Sequence, residues 1–414
     1  MDERKIEHHP DPYIIHAEGK HTHTLILLHG TSTSGPEFGD SILDFEFELA
    51  RECVRGRVLN HASTENLKSI HKEGFFDEDD SPYPEVENES KNENENGGGR
   101  REKKTSLRKE LSKGGVLEGV RVVFPTGSLK KTTVFGGRET NAWFDVHDFG
   151  DRTVGEKEQV EGLRESVGYL KELVMDEVKL LDAEEDRGGR WLDRWTGGRR
   201  RGKGGGKGRV VLGGFSQGSA MAVVGLLSGE FEGVGIGGVV GFSGWLPFRK
   251  QVDEAILGDQ EPRKDLDVEI RSVEGIEKRK RRGLLRWIWT YFLRCAARIS
   301  WFLPWMLRKH FLKATTAEHD PQAVQRRKSA VQYIRSLLSL PPRTLDIDPS
   351  LPILLGHGAA DQKVKYEWAL QMRHSLMDMG LNLKSRRYEG VEHWYCGEEM
   401  RDLVTFLKEI WNLR

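Results

Sequence analysis

The segment GFSQG at residues 214–218 places a serine between two glycines and matches the pattern Gly-x-Ser-x-Gly. In this pattern the glycines permit a sharp turn from strand to helix, and the turn lifts the serine hydroxyl above a sheet. An apolar run precedes the motif and small apolar residues follow it, as such a turn requires. The alternative is a glycine-rich turn that holds an ordinary serine. We predict that Ser216 is a nucleophile.

A serine hydroxyl is a poor nucleophile until a base removes its proton, so Ser216 needs a histidine and an acid as partners. In enzymes built on this turn, the three groups follow one another in the order serine, acid, histidine. Asp361 and His393 occur in that order. A turn-capping aspartate and an exposed loop histidine are the alternatives. We predict that the three side chains form a triad in which His393 is the base.

Two other histidines directly follow or end apolar runs. His29 precedes a glycine, and we expect it to support an anion-binding loop and not to exchange protons. His357 is expected to be structural, because His393 has the better position in the chain. The remaining histidines show no HExxH or other metal-ligand spacing, so we predict no metal. A serine, histidine and acid triad needs no cofactor, and we predict none.

Apolar runs and helical patterns alternate along the chain. Leucines and valines recur at helical spacing between about residues 155 and 181, and residues 398–413 form a similar closing pattern. This alternation predicts an α/β fold, mainly a parallel sheet with helices on both faces. The predicted strands lie at residues 24–28, 120–124, 209–214, 239–243, 353–357 and 386–388.

The 414 residues are 37% hydrophobic and 31% charged, which suits one large domain interrupted by solvated insertions. We predict a single domain over residues 20–412. Three insertions are predicted within it: a low-complexity, disordered segment at 56–115, a Gly/Arg-rich flexible segment at 185–208, and a basic aromatic segment at 259–345.

The net charge of -1 gives no general reason to expect nucleic-acid binding, and we predict none. The polar start of the sequence lacks the apolar stretch of a secretory signal, and the three cysteines form no CxxC pair. We therefore expect a cytoplasmic protein, with peripheral membrane association left open.

Cationic and aromatic residues are interleaved in the third insertion, over residues 278–313. On a helical wheel, apolar side chains gather on one face and arginines on the other, which is typical of a helix on an anionic membrane surface. A lid over the active site is an equally good interpretation. Nuclear targeting and an error in the gene model are further alternatives.

Six blocks of sequence occur in an order that resembles the acyl-protein thioesterase family of α/β-hydrolases, also called the phospholipase/carboxylesterase family. By its known members, this resemblance implies the α/β-hydrolase fold. The blocks are LLHG at 27–30, WFD at 143–145, GGFSQG at 213–218, SGWLP at 243–247, GHGAAD at 356–361 with Val364, and YEG at 388–390 with His393.

The resemblance assigns a role to each matching residue. Ser216 is the expected nucleophile, His393 the general base and then acid, and Asp361 the group that orients the imidazole. The main-chain N–H groups of Thr31 and Gln217 are expected to form the oxyanion hole. Members of the family commonly have leucine where this chain has Thr31, but a main-chain donor keeps its function with either side chain.

Trp143 and Trp245 resemble residues near the substrate cleft of the family, and the alternative is that both are core aromatics. The resemblance also implies an acylated protein as the substrate, with a small carboxyl ester or a lysophospholipid as the alternatives. A catalytically silent acyl or membrane binder, and an interaction protein acting through its insertions, are rivals from other classes. The sequence sets neither the acyl chain length nor the oligomeric state.

Overall fold

The computed structural model describes residues 9–49, 103–196, 208–258 and 320–413. In the described part of the chain the strands are β1 (Tyr13–Ile15), β2 (His23–Leu28), β3 (Glu46–Leu49), β4 (Lys103–Ser106), β5 (Val120–Phe124), β6 (Leu129–Thr132), β7 (Arg138–Asn141), β8 (Val210–Phe215), β9 (Gly238–Phe242), β10 (Ile353–Gly358) and β11 (Leu383–Tyr388). The helices are α1 (Gly35–Asp44), α2 (Leu107–Leu111), α3 (Glu156–Thr196), α4 (Gln217–Leu227), α5 (Arg249–Leu257), α6 (Pro321–Leu337), α7 (Tyr366–Asp378) and α8 (Gly397–Trp411).

Seven strands form the central sheet in the order β1-β5-β2-β8-β9-β10-β11. β1 runs antiparallel to β5, and every other neighbouring pair is parallel. Along β2, Leu25 and Leu27 pack into one buried cluster, whereas Ile26 and Leu28 pack into the other. A strand with both faces buried must be apolar at every position, which is why continuous apolar runs marked these strands in the sequence.

Helices cover both faces of this sheet. Buried side chains of α3, α4, α5, α6 and α7 pack on one face, and those of α1, α2 and α8 pack on the other. The prediction of a mainly parallel sheet with helices on both faces is therefore confirmed. The sheet begins at Tyr13, which is earlier than the predicted domain boundary at residue 20.

Two short antiparallel pairs lie outside the central sheet. β3 pairs with β4, and β6 pairs with β7. The β6–β7 hairpin was not predicted, because its strands are short and only partly buried. It leads directly into Trp143, so it delivers the chain to the neighbourhood of the Gly-x-Ser-x-Gly turn.

The first predicted insertion, 56–115, extends too far at its C-terminal end. Residues 103–115 contain β4 and α2, and Leu107 and Leu111 of α2 are buried against the sheet. Ser106 caps α2 by accepting a hydrogen bond from the Lys109 N–H. The two leucines stand four residues apart and so share one helix face. Because the residues between them are mostly charged, composition alone did not indicate a buried helix. Residues 56–102 lie outside the described residues.

The second insertion was predicted to begin at residue 185, but helix α3 continues to Thr196. Gly188 and Gly189 lie within this helix. Two glycines weaken a helix by only about 1 kcal/mol each, which a helix of 41 residues tolerates. Residues 197–207 of this predicted insertion lie outside the described residues.

The third insertion, 259–345, was predicted as one basic segment, and this boundary is wrong for its last part. Helix α6 packs Ala330, Val331 and Ile334 into the main buried cluster. Its buried arginines are paired: Arg327 with Asp346, and Arg335 with Glu230. Pairing offsets the cost of burying a guanidinium, so basic composition did not mean a solvated face.

The basic aromatic residues 278–313 lie outside the described residues. No helix in the described ranges has both the length and the apolar content needed to cross a membrane.

Candidate active site

Ser216 lies on the turn that joins β8 to α4. Its backbone has φ 55° and ψ -117°, a conformation that is strained for any residue other than glycine. The Ser216 N–H donates to the Phe242 carbonyl at 2.8 Å and so ties the turn to the neighbouring strand β9. The strained turn directs the side chain out of the sheet at the carboxyl end of β8.

The glycines of the motif are required by close backbone contacts. A Cβ on Gly218 would lie 2.3 Å from the Leu28 carbonyl oxygen, and one on Gly214 would lie 2.7 Å from the same oxygen. Gly30, which follows β2, also approaches the turn, with an added Cβ 3.4 Å from the Ser216 Cβ. The loop after β2 therefore lies directly beside the serine.

The structure brings Ser216, His393 and Asp361 together from the ends of three segments. His393 Nε2 lies 3.0 Å from Ser216 Oγ, and His393 Nδ1 lies 2.7 Å from Asp361 Oδ2. The Asp361 side chain is fully buried, whereas the His393 side chain is 13% exposed. This arrangement can move a proton from the serine hydroxyl to an imidazole that a carboxylate holds in place.

The loop after β10 holds the Asp361 carboxylate. Its Oδ1 accepts hydrogen bonds from the Lys363 N–H at 2.9 Å and the Val364 N–H at 2.8 Å, which leaves Oδ2 for His393. Burial alone would raise the pKa of Asp361. The hydrogen bond and charge of His393 and the bond from Val364 outweigh burial, and the pKa lies below its usual value.

His357 supports the same loop. It is buried, and its Nε2 lies 2.7 Å from the Val364 carbonyl oxygen and 3.5 Å from Asp361 Oδ2. Burial lowers the pKa of His357, so the ring is neutral near pH 7 and its Nε2–H donates to Val364. These contacts agree with the structural role expected for His357.

His29 supports the loop after β2. Its Nε2 accepts a hydrogen bond from the Gly127 N–H at 2.9 Å, so Nδ1 carries the proton and donates to the Gly30 carbonyl at 2.5 Å. Burial lowers the pKa of His29 to about 4, which keeps the ring neutral. These contacts fit the supporting role expected for His29, because they fix the backbone just before Thr31.

Two main-chain donors flank the serine. Gln217 is the first residue of α4, and Thr31 follows the glycine that lies against Ser216. Within the described residues, neither the Thr31 N–H nor the Gln217 N–H has a protein acceptor, whereas the adjacent Ser32 N–H donates to the Asn141 carbonyl. Unpaired N–H groups beside a nucleophile can bind a negatively charged oxygen.

The side chain of Gln217 has a role that the sequence did not reveal. Its Oε1 accepts from the Trp143 N–H at 3.0 Å, and its Nε2 donates to the Phe144 carbonyl at 2.6 Å. Trp143 has no exposed surface, and its indole N–H donates to the His29 carbonyl at 2.9 Å. This burial favours the alternative that Trp143 is a core aromatic. A buried glutamine must find partners, but the sequence does not say which.

Trp245 is only 3% exposed and borders a cavity of about 210 Å³ at the end of β9. The Arg152 guanidinium lies over its ring, 4.3 Å from the centroid. No sequence pattern distinguishes Arg152 from a solvated arginine in a polar loop. Among the described residues, no group of three or more His, Cys, Asp or Glu side chains could hold a metal ion.

A mainly parallel sheet with helices on both faces, and a serine on a strained turn after a central strand, define an α/β-hydrolase. The model of the family described as Phospholipase/Carboxylesterase matches residues 108–260 and 336–411, which is more than half of the chain. The chain belongs to this family, and the predicted resemblance is confirmed.

Among relatives, acyl-protein thioesterase 1 of Debaryomyces hansenii is 26% identical over 137 residues, which cover 33% of this chain and 47% of the relative. Acyl-protein thioesterase 1 of Candida albicans is 20% identical over 292 residues, 70% of this chain and 78% of that one. The first of these alignments thus spans about half the length of the relative. The crystal structure of Zea mays acyl-protein thioesterase 2 has a TM-score of 0.44 at 15% identity and covers 96% of this chain and 98% of that chain.

Proposed function

We propose that this chain is a serine hydrolase that cleaves acyl thioesters or carboxyl esters through an acyl-serine intermediate. The observation that carries the proposal is the continuous hydrogen-bonded series from Ser216 Oγ through His393 to Asp361. The strained turn at Ser216 supports it, because such strain is retained at functional sites.

In the proposed mechanism, Ser216 Oγ attacks the acyl carbonyl carbon while His393 Nε2 takes the hydroxyl proton. Asp361 Oδ2 accepts a hydrogen bond from the His393 Nδ1–H. This bond holds the ring in the required tautomer, and the carboxylate stabilises the imidazolium. The imidazolium then protonates the leaving thiolate or alkoxide, and the carbonyl–leaving-group bond breaks. Water, deprotonated by His393, attacks the acyl-serine and releases the carboxylic acid and the free serine.

The oxyanion formed in each attack is assigned to the main-chain N–H groups of Thr31 and Gln217. Their lack of protein acceptors among the described residues supports this role, since both remain available to the substrate. His29 supports the role indirectly, because it holds the Gly30 carbonyl of the peptide that carries the Thr31 N–H. A donor of this kind contributes on the order of 100-fold to 1,000-fold in kcat.

For the substrate, we propose an S-acylated protein cysteine. The printed names of the relatives, acyl-protein thioesterases, support this class. Small carboxyl esters and lysophospholipids are the alternatives, because the same serine, imidazole and oxyanion donors serve all three reactions. Trp245 remains a proposed cleft residue on the family resemblance alone, because no residue of the proposed triad lines the cavity that it borders.

The test compares hydrolysis of a palmitoyl thioester and of a short p-nitrophenyl ester by the wild type and Ser216→Ala. Ser219→Ala is the matched control, because Ser219 lies three residues further on α4 and its Oγ has no partner among the described residues. Loss of roughly 10,000-fold or more in kcat in Ser216→Ala alone supports the proposal. Equal residual activity in the two variants would refute it.

The substrate class follows from the same assay. A preference for the thioester supports the acyl-protein assignment, and a preference for the ester moves the assignment to carboxylesterase. A wild type that hydrolyses neither compound and is not labelled by a fluorophosphonate probe would favour a silent acyl binder.

Two proposals about location rest on the sequence: peripheral membrane contact through residues 278–313, and a cytoplasmic location. The disordered insertion and the lid alternative also remain proposals from the sequence. Co-sedimentation with vesicles rich in phosphatidylserine, with and without residues 278–313, tests the membrane contact. Binding that is equal in both forms would contradict it.

A further inference from the structure

Arg152 lies in the loop between β7 and α3, far in sequence from the residues of the proposed triad. We propose that Arg152 is a positioning residue that orders the Asp361 carboxylate through a single peptide group. This inference rests on the proposed function, because it assigns Arg152 a part in the reaction of that same site.

The connection is formed by the peptide group between Lys363 and Val364. Arg152 Nη2 donates to the Lys363 carbonyl oxygen at 3.0 Å. The N–H of that same peptide, carried by Val364, donates to Asp361 Oδ1 at 2.8 Å. One planar peptide therefore joins the guanidinium on its oxygen side to the carboxylate on its nitrogen side.

A cation on the carbonyl oxygen of a peptide polarises the group and makes its N–H a stronger donor. The Asp361 Oδ1 is then held more firmly, and Oδ2 keeps its orientation towards His393 Nδ1 at 2.7 Å. The positive charge also acts directly, because it attracts the negative charge of the Asp361 carboxylate. Both effects originate from a residue that touches neither the serine nor the histidine.

Aromatic rings hold the guanidinium in place. Its carbon lies 4.3 Å from the ring centroid of Trp245, 5.2 Å from that of Phe149 and 5.3 Å from that of Trp368. Nη1 donates to the Asp148 carbonyl at 3.4 Å, and Nε is buried without a partner among the described residues. Rings and main-chain carbonyls thus replace the carboxylate that a buried arginine usually pairs with.

Burying this guanidinium without a carboxylate partner is costly. Burial lowers the pKa of Arg152 to about 10, against the opposing charges of Asp361 and Asp148. The guanidinium remains charged at neutral pH. A cation kept in a costly position, with its donor directed at the acid loop, is consistent with a role beyond packing.

A second contact joins the same two loops. Lys365 Nζ donates to the Gly150 carbonyl at 3.4 Å and lies 5.5 Å from the Trp368 ring centroid. This contact is long and exposed, so it adds little. Of these two contacts, Arg152 therefore makes the stronger one.

The test uses Arg152→Met, which keeps length and apolar contact but removes the charge and the donors, and Arg152→Lys, which keeps the charge. Arg249→Met is the matched control, because Arg249 borders the same cavity and pairs with Asp253. The kinetic constants kcat and KM are measured on a short p-nitrophenyl ester from about pH 5 to about pH 9. Titration with a fluorophosphonate counts the reactive sites.

For Arg152→Met we expect kcat to fall roughly 10-fold to 100-fold at unchanged KM and unchanged site count. The acid limb of the kcat/KM profile moves to lower pH, since a less firmly held Asp361 carboxylate stabilises the imidazolium less. In Arg152→Lys the acid limb stays at the wild-type pH, and kcat falls by less than about 10-fold. Arg249→Met matches the wild type in both respects.

Three results would overturn the inference. A raised KM with unchanged kcat would make Arg152 a substrate contact, and a lower site count with an unmoved acid limb would make it a support of the fold alone. If the acid limb moves equally in Arg249→Met, the effect comes from the loss of any nearby positive charge and not from Arg152 in particular. If instead the wild type reacts no better than Ser216→Ala, the proposed function fails first, and that result is distinguishable from the other three.

Discussion

Replacing Gln217 by leucine removes two buried hydrogen bonds and leaves an apolar side chain of similar size. The Trp143 N–H and the Phe144 carbonyl oxygen lose their partners, and both lie in the core. An unsatisfied buried polar group costs about 1–3 kcal/mol, so the free energy of unfolding should fall by about 2–6 kcal/mol. The melting temperature should fall by roughly 5–20 °C.

The assay is urea unfolding of the wild type, Gln217→Leu and Gln325→Leu, with the midpoint and slope of each transition compared. Gln325 is the control, because it is exposed on α6 and its amide makes only a 3.4 Å contact with Ser329. Its replacement should change the free energy of unfolding by less than about 0.5 kcal/mol. Equal stability of the two variants would refute the assignment of Gln217 as the support of the Trp143 backbone.

Gly218→Ala places a methyl group 2.3 Å from a main-chain oxygen of β2 and should abolish fluorophosphonate labelling, whereas Gly168→Ala, with open space around it, should label normally. Burial raises the pKa of Glu399 well above 4.5, so the native state keeps a proton that the unfolded chain loses as pH rises above about 4.5. Urea unfolding at about pH 5 and pH 8 should therefore show a larger loss of stability in the wild type than in Glu399→Gln, and equal losses would contradict the buried neutral acid. Arg335→Met breaks a buried ion pair and should cost about 3–5 kcal/mol of unfolding free energy in the same assay, whereas Lys179→Met, in an exposed pair, should cost under about 1 kcal/mol.

Sequence could predict the central sheet because its strands are buried on both faces. Residues 24–28 and 353–357 are apolar runs for that reason, and a short apolar run is visible without any knowledge of neighbours. The β6–β7 hairpin could not be predicted in this way. Its strands are polar, and pairing between them, not burial, defines them.

Composition does not predict the burial of a charged residue when its partner is distant in the sequence. The basic aromatic insertion predicted at 259–345 includes α6, yet Arg327 and Arg335 of this helix are buried. Their partners are Asp346, which lies beyond the helix, and Glu230, which is 105 residues earlier in the chain. Only the fold brings such pairs together, so the sequence could not separate core arginines from surface arginines.

The candidate site shows a similar division between reacting groups and their supports. Ser216, Asp361 and His393 could be predicted because their side-chain types and order are set by the proposed chemistry. The roles of Arg152 and of the Gln217 side chain could not be predicted, because their partners are distant main-chain groups. Arg152 bonds to a carbonyl 211 residues away, and the Gln217 amide bonds to groups 74 and 73 residues away.

Main-chain partners carry no sequence signature, because every residue except proline offers the same N–H and carbonyl. Asp361 is held by two peptide N–H groups, Arg152 by carbonyl oxygens, and the Gln217 side chain by one group of each kind. The path of the backbone therefore decides which groups can support this site. Loop length and glycine positions set that path, whereas the side chain of the residue that offers the main-chain group matters less. A polar residue in a loop, such as Arg152, can hold the proposed acid in place although no local pattern distinguishes it from a solvated one.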